Sequence, residues 1–143
     1  AGVEYSIDYE PAESTVPLFG GNSNWHGPIW MPMNYLFIQA LREYQWYSGN
    51  DFLFEYPTGS NKLLNLKQVS DELSKRLIHM FEKDEKGNRA INKNYEKYYQ
   101  DPHFKDLVLF YEYFHGENGR GLGASHQTGW TALVANLIEQ LEE

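Results

Sequence analysis

One carboxylate stands inside an otherwise apolar and aromatic run, LVLFYEYFH, at 107–115. In an extended chain Glu112 points to the same side as Val108, Phe110 and Phe114, because side chains alternate across a strand. A carboxylate in that setting is costly unless it is paired or reached by water from a cleft, which makes it a candidate acid or base. The structural alternative is an edge strand on which Glu112 simply faces solvent. The run leads into GENGRGLG at 116–123, where four glycines in eight positions call for unusual backbone angles or a close approach to a ligand. A phosphate-cradling loop is excluded, since Gly121 is followed by Leu122 and Gly123 where Lys and then Ser or Thr are required. The stretch 84–96 lacks the Asp/Asn alternation of a calcium loop, and Gly87 comes too early. His26, His79, His103, His115 and His126 show no ligand spacing, so neither a metal nor a cofactor is expected. Trp25, Trp30 and Trp130 are flanked by Asn24, His26, His126 and Gln127. A flat ring beside donors and acceptors suits a sugar, whose C–H face stacks while its hydroxyls need hydrogen bonds. The alternative for each tryptophan is a plain core residue.

The elements that would position these residues are mostly helical. Residues 1–27 are punctuated by Pro11, Pro17 and Gly20-Gly21 and read as loop with at most a short strand. From Pro28 to Ser48 the apolar residues keep helical spacing, with Pro28 and Pro32 near the first turn and Gly49-Asn50 at the close. This helix is apolar around most of its circumference, so it is expected to be buried on more than one side. A second helix, 66–83, carries one stripe of Val69, Leu73, Leu77, Met80 and Phe81, and Asn65 with Gln68 forms a capping-box start. DEKGNR makes a polar turn, 107–115 a short strand or extended segment, and 128–141 a third helix with Trp130, Leu133, Val134, Leu137, Ile138 and Leu141 on its packed side. The fold class expected is mainly α, with a short extended or hairpin segment near 107–115.

Composition bounds the partners. The chain has 143 residues and no cysteine, enough to bury about 68–70% of its unfolded surface without disulfides or thiolate-held zinc. Twenty Asp and Glu against twelve Lys and Arg give a net charge of −8, which repels a phosphate backbone, and nucleic acid is not expected as a partner. No apolar stretch approaches the ~20 residues needed to span a bilayer, and no signal-peptide pattern opens the chain. Membrane is therefore not expected either, and a cytoplasmic location is favoured. Aromatic residues make up 16% beside a mean hydropathy of −0.63, so many rings must sit next to polar groups. The missing initiator Met and a helical pattern running to the last residues suggest a piece of a longer or processed chain.

Two long strings, GGNSNWHGPIWMPMNY at 20–35 and FYEYFHGENGRGLGASHQTGW at 110–130, resemble the C-terminal part of the catalytic domain of glycoside hydrolase family 63, the processing α-glucosidases and their bacterial relatives. N-W-x-G-P-x-W and Gln127-x-Gly129-Trp130 resemble trehalase signatures more distantly. The resemblance implies that 1–143 is the C-terminal portion of an (α/α)6 barrel, a toroid that cleaves α-glycosidic bonds with inversion. It places the general base at Glu112. Glu96-Lys97-Tyr98 also looks like a trehalase string, but only Glu112 is followed by the glycine loop and then Q-x-G-W. Asn24, Trp25, His26, Trp30, His126, Gln127 and Trp130 would surround the sugar, with His26 standing where relatives carry Arg. The second carboxyl that inversion requires has no match in this chain, so the general acid is expected elsewhere in the barrel. By itself the chain is then expected to be inactive and to self-associate through surface meant for the remainder of its barrel. Two rivals from other classes are a non-catalytic carbohydrate-binding module and a structural piece of a helical toroid.

Overall fold

The computed structural model describes residues 9–15, 25–126 and 129–142. Helix α1 spans Met31–Ser48, α2 Leu66–His79, α3 Glu96–Tyr99 and α4 Leu133–Glu142. Between α1 and α2 lies a hairpin of β1 (Phe54–Glu55) and β2 (Leu63–Leu64), and between α3 and α4 a second of β3 (Tyr113–Phe114) and β4 (Gly121–Leu122). The chain is mostly helical, and three of its helices pack on one another, α1 against α2 and α4, and α2 against α4.

Helix α1 starts three residues later than the periodicity suggests. Pro32 sits in its first turn, where a missing N–H costs nothing, while Pro28 lies outside, beside Ile29, which pairs with Phe114. Gly49, at φ 71°, ends the helix and donates its N–H to the Gln45 carbonyl. Helix α2 opens with the capping box: Asn65 Oδ1 accepts from the Gln68 N–H and Gln68 Oε1 from the Asn65 N–H, both at 2.9 Å. It ends at His79 rather than 83. The last turn tightens, with the Phe81 N–H reaching the Ile78 carbonyl at 2.8 Å, so that Met80 and Phe81 both enter the core. The third predicted helix begins as a 3₁₀ turn at Trp130–Ala132 before α4 proper.

The core gathers Met31 and Ile38 of α1, Leu77 and Ile78 of α2, Val134 and Leu137 of α4, and Ile91, Tyr111 and Phe114 from the segments between. Polar ties align the same helices. Tyr35 donates to Asn136 Oδ1 at 2.6 Å, Gln39 to Gln140 at 2.9 Å, and Arg42 bridges to Asp71 at 3.2 Å. Among the described residues, only one side of α1 is covered. Met33, Leu36, Phe37 and Tyr44 are exposed, and Trp46 and Tyr47 stand 86% and 83% in solvent. No described helix is long and apolar enough to cross a membrane.

The extended segment is shorter than expected. Only 113–114 form a strand, and alternation fails because Tyr111, Tyr113 and Phe114 are all buried. Tyr111 and Phe114 pack into the helical core while Tyr113 enters a smaller cluster with Trp30 and Leu122, so both faces of the ribbon are covered. The β1–β2 hairpin and α3 left no signal that periodicity could detect, each being too short.

Replacing Asn65 by Ala removes one half of the capping box and leaves an orphan N–H, so stability is expected to fall by about 1 kcal/mol. The urea midpoint of the variant checks this, and an unchanged midpoint would show that the box contributes nothing.

Candidate functional site

The site is built on a piece of backbone fixed from three directions. On one side Ile29 and Phe114 exchange N–H···O bonds of 2.7 and 2.9 Å. On the other, β4 pairs with β3, and the Glu112 N–H donates to the Ala124 carbonyl at 2.9 Å. From the start of the last helical segment the Trp130 indole N–H donates to the Glu112 carbonyl at 2.8 Å, and the Thr131 hydroxyl to the Tyr111 carbonyl at 2.5 Å. The string after Glu112 is therefore a structural companion: the G-W-T end of the motif holds the main chain of the carboxylate.

The Glu112 side chain is half-buried, and its Oε2 accepts the Ala124 N–H at 3.2 Å. Neighbouring Gly123, at φ +68°, has no room for a side chain. A Cβ there would lie 2.5 Å from Glu112 Oε2 and 2.8 Å from Tyr113 Cε1. Gly121 is under the same pressure, since a Cβ would strike the Tyr111 ring at 2.2 Å. The glycine loop is thus a close approach, of the chain to Glu112 and its neighbours.

Beside the carboxylate stands an aromatic stack. Trp25 lies on Trp30 at 4.4 Å between centroids, Trp30 on Tyr113 at 4.6 Å, and Trp130 meets Trp30 edge-on at 5.9 Å. Trp25 is 49% exposed and caps the stack toward solvent, whereas Trp30 is 4% exposed and offers no free face within this chain. His26 and His126 are exposed. Asn24 and Gln127 lie outside the described residues. The structure therefore brings together Glu112, Trp25, Trp30 and Trp130. Glu96 serves a different purpose: its Oε1 accepts the Asn94 N–H at 3.0 Å beside α3, and that bond holds its carboxyl below the usual carboxylate range. Among the described residues no group of three or more metal-ligating side chains is gathered.

Three contributors escaped sequence reasoning. Ala124 acts through its backbone and Thr131 through a hydroxyl aimed at main chain, and neither residue type announces such a role. Tyr113 could have been suspected, as one of two tyrosines flanking Glu112. It is 2% exposed, and its hydroxyl has no hydrogen-bond partner among the described residues. Burial, and then the nearby charges of Glu13 and Glu112, push the phenol up to about 12.

The sequence pattern of the glycosyl hydrolase family 63 C-terminal domain matches residues 18–140. The chain belongs to that family. It is 53% identical over 142 residues to the uncharacterized protein YMR196W of Saccharomyces cerevisiae, which covers 98% of this chain and 13% of that protein. It is 32% identical over 121 residues to the mannosyl-oligosaccharide glucosidase of the same yeast, covering 84% of this chain and 11% of that protein. Identity to alpha-glucosidase 2 of Arabidopsis thaliana is 26% over 116 residues, again 11% of the relative's length. The chain thus spans between 11% and 13% of these relatives.

Two outcomes follow from the geometry. Gly123→Ala is expected to cost more than Gly87→Ala, because both positions have left-handed φ but a Cβ meets nothing within 4 Å at Gly87. The shared backbone penalty is about 1–2 kcal/mol, and equal urea midpoints for the two variants would show that the crowding at Glu112 is absent. Tyr113→Phe removes an unpaired buried hydroxyl and is expected to leave stability unchanged or raise it. A phenol whose pKa is raised on folding stabilises fully below pH ~10 and loses that contribution as pH climbs toward 12. The wild type should therefore lose stability through that window more steeply than Tyr113→Phe, as read by denaturation midpoints at successive pH values; parallel curves would remove Tyr113 from the account.

Proposed function

We propose that this chain is part of the catalytic domain of an inverting α-glycosidase, an (α/α)6 barrel, in which Glu112 is the general base that deprotonates the attacking water. The observation that carries the reading is the restraint on Glu112. Its backbone is held by Trp130 and by Ala124, and its Oε2 is held by the Ala124 N–H beside a glycine that keeps the space next to the carboxylate clear. A base must be fixed within hydrogen-bond reach of the proton it takes, and a backbone donor orients one oxygen while leaving the other for water.

Trp25 is the exposed platform for a sugar ring, with Trp30 and Trp130 backing it. His26 and His126 serve as hydrogen-bonding groups to the sugar, and Asn24 and Gln127 share that role. The general acid comes from a carboxyl elsewhere in the barrel, because inversion requires two carboxyls ~6.5–9.5 Å apart. The uncovered face of α1, with Phe37, Tyr44 and Trp46, is the surface that the remaining helices of the barrel cover. Left alone, the chain would self-associate through it. Glucosidase names among the relatives support α-linked glucosides within oligosaccharides as the substrate class.

The test is Glu112→Gln in the full-length protein. The amide keeps size and hydrogen bonding but accepts no proton, so kcat should fall by roughly 10²–10⁴-fold with KM little changed. NMR of the wild-type product should show the β anomer first. Wild-type-like kcat in the variant, or an α anomer formed first, would overturn the assignment; sugar binding with no turnover in the wild type would favour a carbohydrate-binding module.

A further inference from the structure

The Glu112 carboxylate is aimed by the two peptide units on either side of its Cα, and both are clamped. The unit before it is held on both polar edges. Its carbonyl, that of Tyr111, accepts the Thr131 hydroxyl at 2.5 Å, and its N–H, that of Glu112, donates to the Ala124 carbonyl at 2.9 Å. The unit after it is held at the Glu112 carbonyl, which accepts the Trp130 indole N–H at 2.8 Å. A peptide unit is planar, so bonds on opposite edges fix its tilt, and the tilts of the two units fix φ and ψ at Glu112 and with them the direction of its Cβ. Ala124 is used twice, since its N–H also holds Glu112 Oε2 at 3.2 Å. That bond is the longest of the four, so it has the least to spare if the preceding unit tips.

Thr131 is an unusual source for one of these bonds. A threonine at the start of a helical segment ordinarily turns its hydroxyl on backbone a few positions away. Here the hydroxyl reaches a carbonyl twenty positions earlier in the chain. Thr131 is 0% exposed, so no solvent water can stand in for that donor. The turn that carries it runs directly into α4, whose Val134 and Leu137 are seated in the core, so the donor stands on a rigid element. We infer that Thr131 is a positioning residue for the base: its hydroxyl sets the tilt of the Tyr111–Glu112 peptide unit and so holds the Glu112 carboxylate in line with the attacking water. This role rests on the base reading of Glu112. It requires a hydroxyl at position 131 and not merely a side chain of the right volume, although Thr131, being sealed in the interior, touches no substrate.

The test measures kcat and KM on an α-glucoside for Thr131→Val and Thr131→Ser in the full-length protein, with Glu112→Gln beside them. Thr131→Val keeps the shape and loses the donor. A misplaced base costs turnover more than binding, so kcat should fall by roughly 10–100-fold with KM little changed. Thr131→Ser gives up a methyl group, keeps the donor and should turn over like the wild type. In the Glu112→Gln background Thr131→Val should lower kcat no further, because its effect passes through the carboxylate. A purely structural role would shift the urea midpoints of both variants and leave kcat of the folded enzyme unchanged. If Thr131→Val does not fold, Thr131→Ala takes its place, since it differs from Thr131→Ser by the hydroxyl alone. The positioning role is overturned if the variant lacking the hydroxyl keeps wild-type kcat, if Thr131→Ser loses as much, or if the loss adds to that of Glu112→Gln. Those results leave the base reading standing, whereas wild-type kcat in Glu112→Gln removes that reading and the role of Thr131 with it.

Discussion

The structure depends on how the main chain from Tyr111 to Phe114 is held. The main chain of Tyr111, Glu112 and Phe114 accepts hydrogen bonds from Thr131, Trp130 and Ile29 and donates to Ala124 and Ile29, segments separated by up to about a hundred positions in sequence. Because the backbone is tied from three directions, its side chains can be sent in different directions. Tyr111 and Phe114 go to the helical core, Tyr113 goes to the tryptophan cluster, and Glu112 alone remains beside the open side of the glycine loop. A regular strand would place alternate residues on two faces; this one is wedged between two packed groups, so a carboxylate survives among rings without being sealed off from water.

That arrangement has costs that the rest of the fold must offset. Gly121 and Gly123 are required by contact and not by flexibility alone, since a Cβ at either would enter the Tyr111 ring or the Glu112 carboxylate. Tyr113 stacks its ring on Trp30 while its hydroxyl finds no partner among the described residues. Stacked rings contribute ~0.5–1.5 kcal/mol beyond the area they bury, which is comparable to the penalty of one unmade hydrogen bond. The packing of α1, α2 and α4 supplies the remainder, through the aliphatic core and the glutamine, tyrosine and arginine ties across the helices.

Tyrosines join the segment carrying α3 to the ribbon that carries Glu112. Tyr95 stacks on Tyr111 at 5.9 Å and donates to the Gly121 carbonyl at 3.3 Å, and the Tyr99 and Tyr111 hydroxyls lie 3.4 Å apart. The segment carrying α3 therefore rests directly on that ribbon.

Much of this was readable beforehand. The three helices, the capping box at Asn65, the closing Gly49 and the singular position of Glu112 follow from period, capping chemistry and the oddity of a lone carboxylate among rings, all of which are local properties. Family membership likewise rests on linear strings. What only the tertiary structure decided is non-local. It made Trp30 an interior ring and Trp25 the outer one, although both precede the same helix and look alike in sequence. It cut the expected strand to two residues, because pairing with Ile29 and with β4 is available only there. It assigned Ala124 and Thr131 their roles through a backbone N–H and a hydroxyl that no side-chain pattern encodes. It also left Asn92 buried beneath a cleft that forms only when α2, a turn and α3 meet. The physical reason is common to all four: periodicity reports which face of an element is apolar, whereas the partner of each hydrogen-bonding group is set by which distant segments the packed core brings within about 3 Å of it.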